Sequence, residues 1–212
     1  MKPVSKVAFV AAIIGPIQSA LGWIIAGSLW PGYDPVKQTI SDLAANESPV
    51  RYIMSAFFIL GGTLTLIAAI YGRTLAMPGR VALFVSGICT YGLTIFPTPL
   101  IGYSLWHRIF AITSFVLSAG WPLAAMRFRR DAHWVLRPVT SVIATAVQTI
   151  LAVYFLMVWT DPVITNVGVW ERLVTVSQAS YMSFVIIVLY LSQRKARVSG
   201  VVGAGSAAGV GV

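Results

Sequence analysis

The chain has little charge: only 10% of its 212 residues are Asp, Glu, Lys or Arg, where soluble domains average roughly a quarter. So little polarity cannot cover a globule in water, which excludes an ordinary soluble domain. Acids are scarcest, with six Asp and Glu against fifteen Lys and Arg. A net charge of +9 is the sign that a nucleic-acid partner requires. The basic residues are scattered singly between apolar runs, though, and form no phosphate-tracking patch, so no nucleic-acid partner is expected. The single cysteine, Cys89, allows no intramolecular disulfide and leaves the redox compartment open. There is no glycine-rich phosphate loop, no H-E-x-x-H, no Cys–His cluster and no G-x-S-x-G elbow. No metal and no cofactor are expected.

What the chain does have is length of apolar run. It is 58% hydrophobic with a mean hydropathy of +0.83. A bilayer-spanning helix needs about 20 mostly apolar residues, and six stretches qualify or nearly do: residues 7–30, 52–71, 81–96, 105–126, 138–159 and 173–191. The first is too long for the apolar core of a cleaved leader and reads as a retained anchor. The fold expected is all-α, a polytopic bundle of six transmembrane helices over residues 1–197. Residues 198–212, rich in glycine and alanine, read as a disordered extension.

Flanking charge sets the orientation. Lys2, Lys6, Arg73, Arg80, Arg127, Arg129, Arg130, Arg137, Arg194, Lys195 and Arg197 would share one side; Lys37, Arg51, Arg108 and Arg172 take the other. The positive-inside rule then places both termini in the cytoplasm of a cell-membrane protein. Trp30, Tyr33, Tyr52, Tyr103, Trp106, Trp159 and Trp170 fall at the outer helix ends, where amphipathic rings favour the interface.

One polar loop interrupts this pattern, residues 31–51, carrying Asp34, Asp42 and Glu47. Asp34-Pro35 is a helix start signal. Val36, Ile40 and Leu43 then recur at helical spacing, with Thr39, Asp42 and Asn46 on a neighbouring face. A short outer-face helix is expected here, either a functional lid or an interfacial cap.

Three further segments offer polar groups to the same end of the bundle. His107 opens a stripe with Ala111, Ser114 and Ser118, and Arg108 follows it. Glu171, Thr175, Gln178 and Met182 share a face of the last helix, beside Arg172, and Tyr91, Thr94 and Thr98 lie at matching depth on the third. Ionisable groups within a membrane are costly and usually functional. The expected site is an outward-facing polar pocket in which His107 acts as acid/base and Asp42 orients it, with Ser41 or Thr39 near enough to serve as nucleophile. Asp34, Arg108, Glu171, Arg172 and Gln178 are its binding residues. In the competing reading Arg108 and Arg172 simply pair with Asp42 and Glu171, pinning the loop.

The segment PGYDPVKQTISDLAA after a first transmembrane helix resembles the prokaryotic membrane family called domain of unknown function 998. The resemblance continues through Gly61-Gly62, Phe96-Pro97, His107 and Gly168-x-x-Glu171-Arg172. It implies a six-helix integral membrane protein and no established activity. That family is distantly similar to eukaryotic six-helix proteins of lipid remodelling and autophagy. Three functions fit: modification of a lipid headgroup at the outer leaflet, a non-catalytic scaffold binding membrane lipids or protein partners, or transport of a small solute. Membrane lipids or a small lipid-like molecule are the expected partners.

Overall fold

The computed structural model describes residues 3–161 and 163–208, and the side chains of residues 3–161 and 163–199. Among these residues seven α-helices follow one another: α1 (Lys6–Ser28), α2 (Ile40–Leu43), α3 (Arg51–Tyr71), α4 (Met77–Ile95), α5 (Leu105–Ala124), α6 (Pro138–Thr160) and α7 (Val167–Ala208). A 3-10 turn, Trp134–Leu136, precedes α6, and there is no strand among the described residues. The six long helices form a ring. Each packs on the next, and α7 returns to pack on α1. The four-residue α2 touches α1 and α7, at one end of the ring.

The ring is arranged for lipid. On α1 the buried positions are small or polar, namely Ala8, Ala11, Ala12, Gly15, Gln18, Gly22 and Ala26. Its large side chains Val10, Ile14, Ile17, Leu21 and Ile24 are exposed. On α6, Ile143, Val147, Ile150 and Met157 likewise face outward while Ser141 and Gln148 are buried. Water would select the reverse. Small residues let backbones approach closely and large apolar ones meet the hydrocarbon. Among the described residues, four helices are long and apolar enough to cross a membrane: Lys6–Ser28, Arg51–Tyr71, Pro138–Thr160 and Val167–Ser199.

Two boundaries differ from expectation for identifiable reasons. α4 begins at Met77, because Arg80 lies within it and donates to the Ala69 and Ile70 carbonyls at the end of α3. A charge that satisfies carbonyls need not end a helix. At the other extreme, α7 continues to Ala208, so residues 198–208, expected to be disordered, carry helical backbone. Extending an existing helix needs no new nucleus. Residues 209–212 and Lys2 lie outside the described residues.

Opposite α2 the ring is filled. Leu83, Trp121, Met182, Ile186 and Leu189 pack there with Ala8 and Ala12. At the α2 end, Ile40, Leu43 and Ala44 pack with Ala26, Val50 and Met54. Between the two clusters the ring is hollow.

Candidate functional site

The loop ahead of α2 folds around Arg172, a residue 9% exposed. Its Nη1 donates to the carbonyls of Pro35 (2.8 Å), Gln38 (3.0 Å) and Gly168 (2.8 Å), and its Nη2 donates to the Tyr33 hydroxyl. The guanidinium lies over the Trp23 ring, 5.2 Å from its centroid. Tyr33 in turn donates to the Thr39 carbonyl at 2.8 Å. Burial pushes the Tyr33 phenol up to about 12, so it remains a donor at any physiological pH.

The Asp34-Pro35 signal does not start the helix. Asp34 Oδ1 accepts from the Val36 and Lys37 amides, and Gln38 Oε1 caps the Asp34 amide. These bonds close a turn, and the backbone enters helix only after Thr39. There a capping box forms: Thr39 Oγ1 accepts from the Asp42 amide and Asp42 Oδ2 from the Thr39 amide, at 2.9 and 2.7 Å. The sequence T-x-x-D carries that signal.

Asp42 is therefore turned to its own cap, and no hydrogen bond joins it to His107 among the described residues. Burial raises its carboxyl above the ordinary carboxylate value of 3.8, opposed by the bonds from Thr39. An acid whose folded-state pKa is raised binds its proton more tightly folded than unfolded. Stability then falls as pH rises above 3.8 and levels off above the folded value. Asp42→Asn keeps the acceptor and removes the charge. Thermal unfolding in detergent, followed from about pH 4 upward, is expected to show a steeper decline in the wild type than in Asp42→Asn. Asp42→Ala loses the cap, at about 1 kcal/mol. An Asn variant as unstable as the Ala variant would refute this account.

What meets His107 is Ser41. His107 is 1% exposed, at the start of α5. Its Nδ1 bonds the Phe96 carbonyl at 3.0 Å and its Nε2 lies 3.2 Å from Ser41 Oγ. Ser41 Oγ is also 3.0 Å from Glu171 Oε1, while Glu171 Oε2 accepts from the Ile40 amide. Glu171 is 5% exposed. The structure thus brings together His107, Ser41 and Glu171, with Ser41 in the middle.

The expected carboxylate–arginine pairs do not form. The ion pairs among the described residues are Lys37–Asp34 and Arg129–Asp131, both on exposed loops. The two terminal nitrogens of Arg172 are satisfied by carbonyls and the Tyr33 hydroxyl instead, while its Nε is buried without a hydrogen-bond partner among the described residues. Arg108 stacks on Tyr103 and Trp159, 4.5 and 5.3 Å from their centroids. Arg108 and Asp34 both lie off the cavity that Ser41 and Glu171 help to line.

That cavity measures about 170 Å³. Ile40, Ser41 and Glu171 close it at the α2 end, and Leu83, Trp121 and Met182 form the opposite floor. Thr175 and Gln178 line it from α7, and Ser114 and Ser118 from α5. Ser86 Oγ ties both α5 serines to α4 at 3.0 and 2.8 Å, and Gln178 Nε2 donates to the Phe115 carbonyl at 3.0 Å. Midway, Gln18 lines the cavity with its Oε1 buried and without a hydrogen-bond partner. Tyr91 bonds Thr63 on α3 and stands outside the lining. Among the described residues no three His, Cys, Asp or Glu side chains gather to hold a metal ion.

Inverted burial, apolar spans and a hollow ring define an all-helical membrane protein with an internal cavity. Residues 13–188 match the family described as Protein of unknown function (DUF998), and the chain belongs to it. No curated protein and no solved structure matches the chain.

Proposed function

We propose that the protein crosses the membrane six times and binds one chain of a membrane amphiphile in its central cavity, with the head of that molecule at Ser41 and Glu171. The observation that carries this reading is the shape of the cavity lining. Phe57, Phe58, Leu64, Leu83 and Phe115 make most of its wall apolar between uncharged groups such as Gln18, Ser114 and Gln178, and the one ionisable residue among the described lining, Glu171, lies at the α2 end. An apolar cavity of about 150 Å³ holds a benzene molecule. The space here therefore suits a segment of one hydrocarbon chain and is too small for a whole two-chain lipid. The floor of Leu83, Trp121 and Met182 offers a solute no polar route onward, which favours a binding site over a conduit.

In this reading α4 and α5 complete the six spans. They are 19 and 20 residues long and sit in the same ring as the four more apolar helices. The excess of arginine and lysine at the end opposite α2 favours a cytoplasmic location for that end, and α2 then faces outward in the cell membrane.

The test is one preparation with two readings. The Lys37→Cys protein, whose exposed new thiol lies in the loop before α2, is treated with a membrane-impermeant maleimide on intact cells. The native Cys89 is buried and gives no background. The protein is then purified and its bound lipids are quantified by mass spectrometry, beside a version also carrying Ala179→Phe, which fills the cavity. Labelling on intact cells and a bound amphiphile reduced at least tenfold by Ala179→Phe are expected. Labelling only after lysis overturns the orientation, and equal lipid in both overturns the binding site.

A further inference from the structure

The hydrogen count at Ser41 goes further than binding. A carbonyl oxygen only accepts, so His107 Nδ1, bonded to the Phe96 carbonyl, carries a proton. Ser41 has one proton to give and lies between two groups, Glu171 Oε1 at 3.0 Å and His107 Nε2 at 3.2 Å. Two arrangements satisfy both contacts. In one, Ser41 donates to a Glu171 carboxylate and accepts from an imidazolium. In the other, a Glu171 carboxylic acid donates to Ser41, and Ser41 donates to a neutral imidazole. The two have the same net charge and differ only by protons moved along the chain. Passage between them needs no solvent and no change of total charge, which suits a buried place. In the second arrangement the Ser41 hydroxyl is already aimed at a base.

The three residues are placed differently with respect to the cavity. Ser41 and Glu171 line it, and His107 stands behind Ser41. The hydroxyl is thus open to an occupant while its base is shielded. A nucleophile within hydrogen-bond reach of a base, itself oriented by a third group, is the general signature of covalent catalysis by serine. The third group here is the Phe96 carbonyl, fixed because Phe96 caps α4 immediately before Pro97.

We propose that Ser41 is an acyl-transfer nucleophile acting on an ester whose apolar acyl chain occupies the cavity. This rests on the binding reading above. Ser41 Oγ bonds to the ester carbonyl carbon and its proton passes to His107 Nε2. The tetrahedral adduct collapses with cleavage of the ester C–O bond, and the departing alcohol takes the proton from Nε2. Water is the second substrate. It adds to the acyl carbon as Nε2 takes one of its protons, the bond to Ser41 Oγ breaks, and that oxygen recovers the proton. The sum is ester plus water to carboxylic acid plus alcohol. Glu171 is a positioning residue that holds Ser41 and the Ile40 amide.

The experiment uses the purified full chain in detergent and an alkyl fluorophosphonate of about eight carbons, a length suited to a cavity little larger than one that holds benzene. Adducts are located by peptide mass spectrometry, and co-purified amphiphile is measured on the same samples. A phosphonyl adduct at Ser41 is expected in the wild type, with none in Ser41→Ala. Labelling at least tenfold slower is expected in His107→Gln. Retained amphiphile in both variants shows that they are folded. A wild-type protein that carries amphiphile but shows no adduct at Ser41 overturns acyl transfer and leaves binding standing. So does adduct at other serines in place of Ser41, or His107→Gln labelling at the wild-type rate. A wild type with neither adduct nor amphiphile overturns both readings.

Discussion

Arg172→Ala is expected to release the loop between α1 and α3 and to destabilise the protein by about 3–5 kcal/mol. One guanidinium holds the carbonyls of Pro35, Gln38 and Gly168 and the hydroxyl of Tyr33. Its removal leaves those acceptors facing a void that the Trp23 and Tyr33 rings help to seal. Hydrogen bonds to charged groups contribute about 1.5–3 kcal/mol each, and stranded acceptors add their desolvation cost. These terms overlap, so the range stays well below their sum. Arg172→Lys is expected to recover little, since one ammonium cannot reproduce the planar fork. The measurement is the apparent melting temperature in detergent, where a drop of roughly 10 °C follows from the usual scaling for a chain of this size. Limited proteolysis within residues 31–51 reads the loop directly. A melting point within about 1 °C of wild type would show that the loop is held by its apolar contacts alone.

The second large effect is expected at Gly79. Its position at the start of α4 presses directly on the end of α5. A Cβ added there would collide with the Cβ of Ala125 and stand 2.8 Å from that residue's Cα and N. These are backbone atoms and the first side-chain carbon, with no flexible end to swing away. Gly79→Ala must therefore push α4 and α5 apart, at about 1–3 kcal/mol given the usual range for overpacking. Gly120, within α5, is the matched control: nothing lies within 4 Å of its added Cβ. Gly120→Ala is expected to be neutral or stabilising by up to about 1 kcal/mol, from helix propensity. Equal melting points for the two variants would sink the close-approach argument.

The helices are legible in the sequence because hydropathy and length are local properties. Residues 52–71 read as a span, and α3 occupies Arg51–Tyr71. The inward face of α7 is also legible, because Glu171, Thr175, Gln178 and Met182 follow helical spacing and all four line the cavity. The loop is harder. Asp34-Pro35 and Thr39-x-x-Asp42 are both start signals; bonds from Asp34 and Gln38 close a turn at the first, the capping box opens the helix at the second, and Arg172 holds the Pro35 and Gln38 carbonyls of that turn. The partner of His107 is obscured by the same geometry. Asp42 is the natural choice by charge, but its carboxylate is spent on the Thr39 amide. The adjacent Ser41 is the side chain that reaches Nε2. Neighbouring residues on a four-residue helix point in different directions, and no periodicity read from sequence fixes which one turns inward.

Ser41 and Glu171 are 130 residues apart, and that separation orders events during biosynthesis. By the time the ribosome reaches Glu171, α1 to α6 have already been made. Until the last helix enters, the Ile40 amide lacks its carboxylate and the carbonyls of Pro35 and Gln38 lack their guanidinium. Both missing groups arrive together on consecutive residues, Glu171 and Arg172, as a locally neutral pair. The final insertion step is thus also the step that assembles the site, and a chain stalled before it would display an unlatched loop, open to the cell's quality-control proteases.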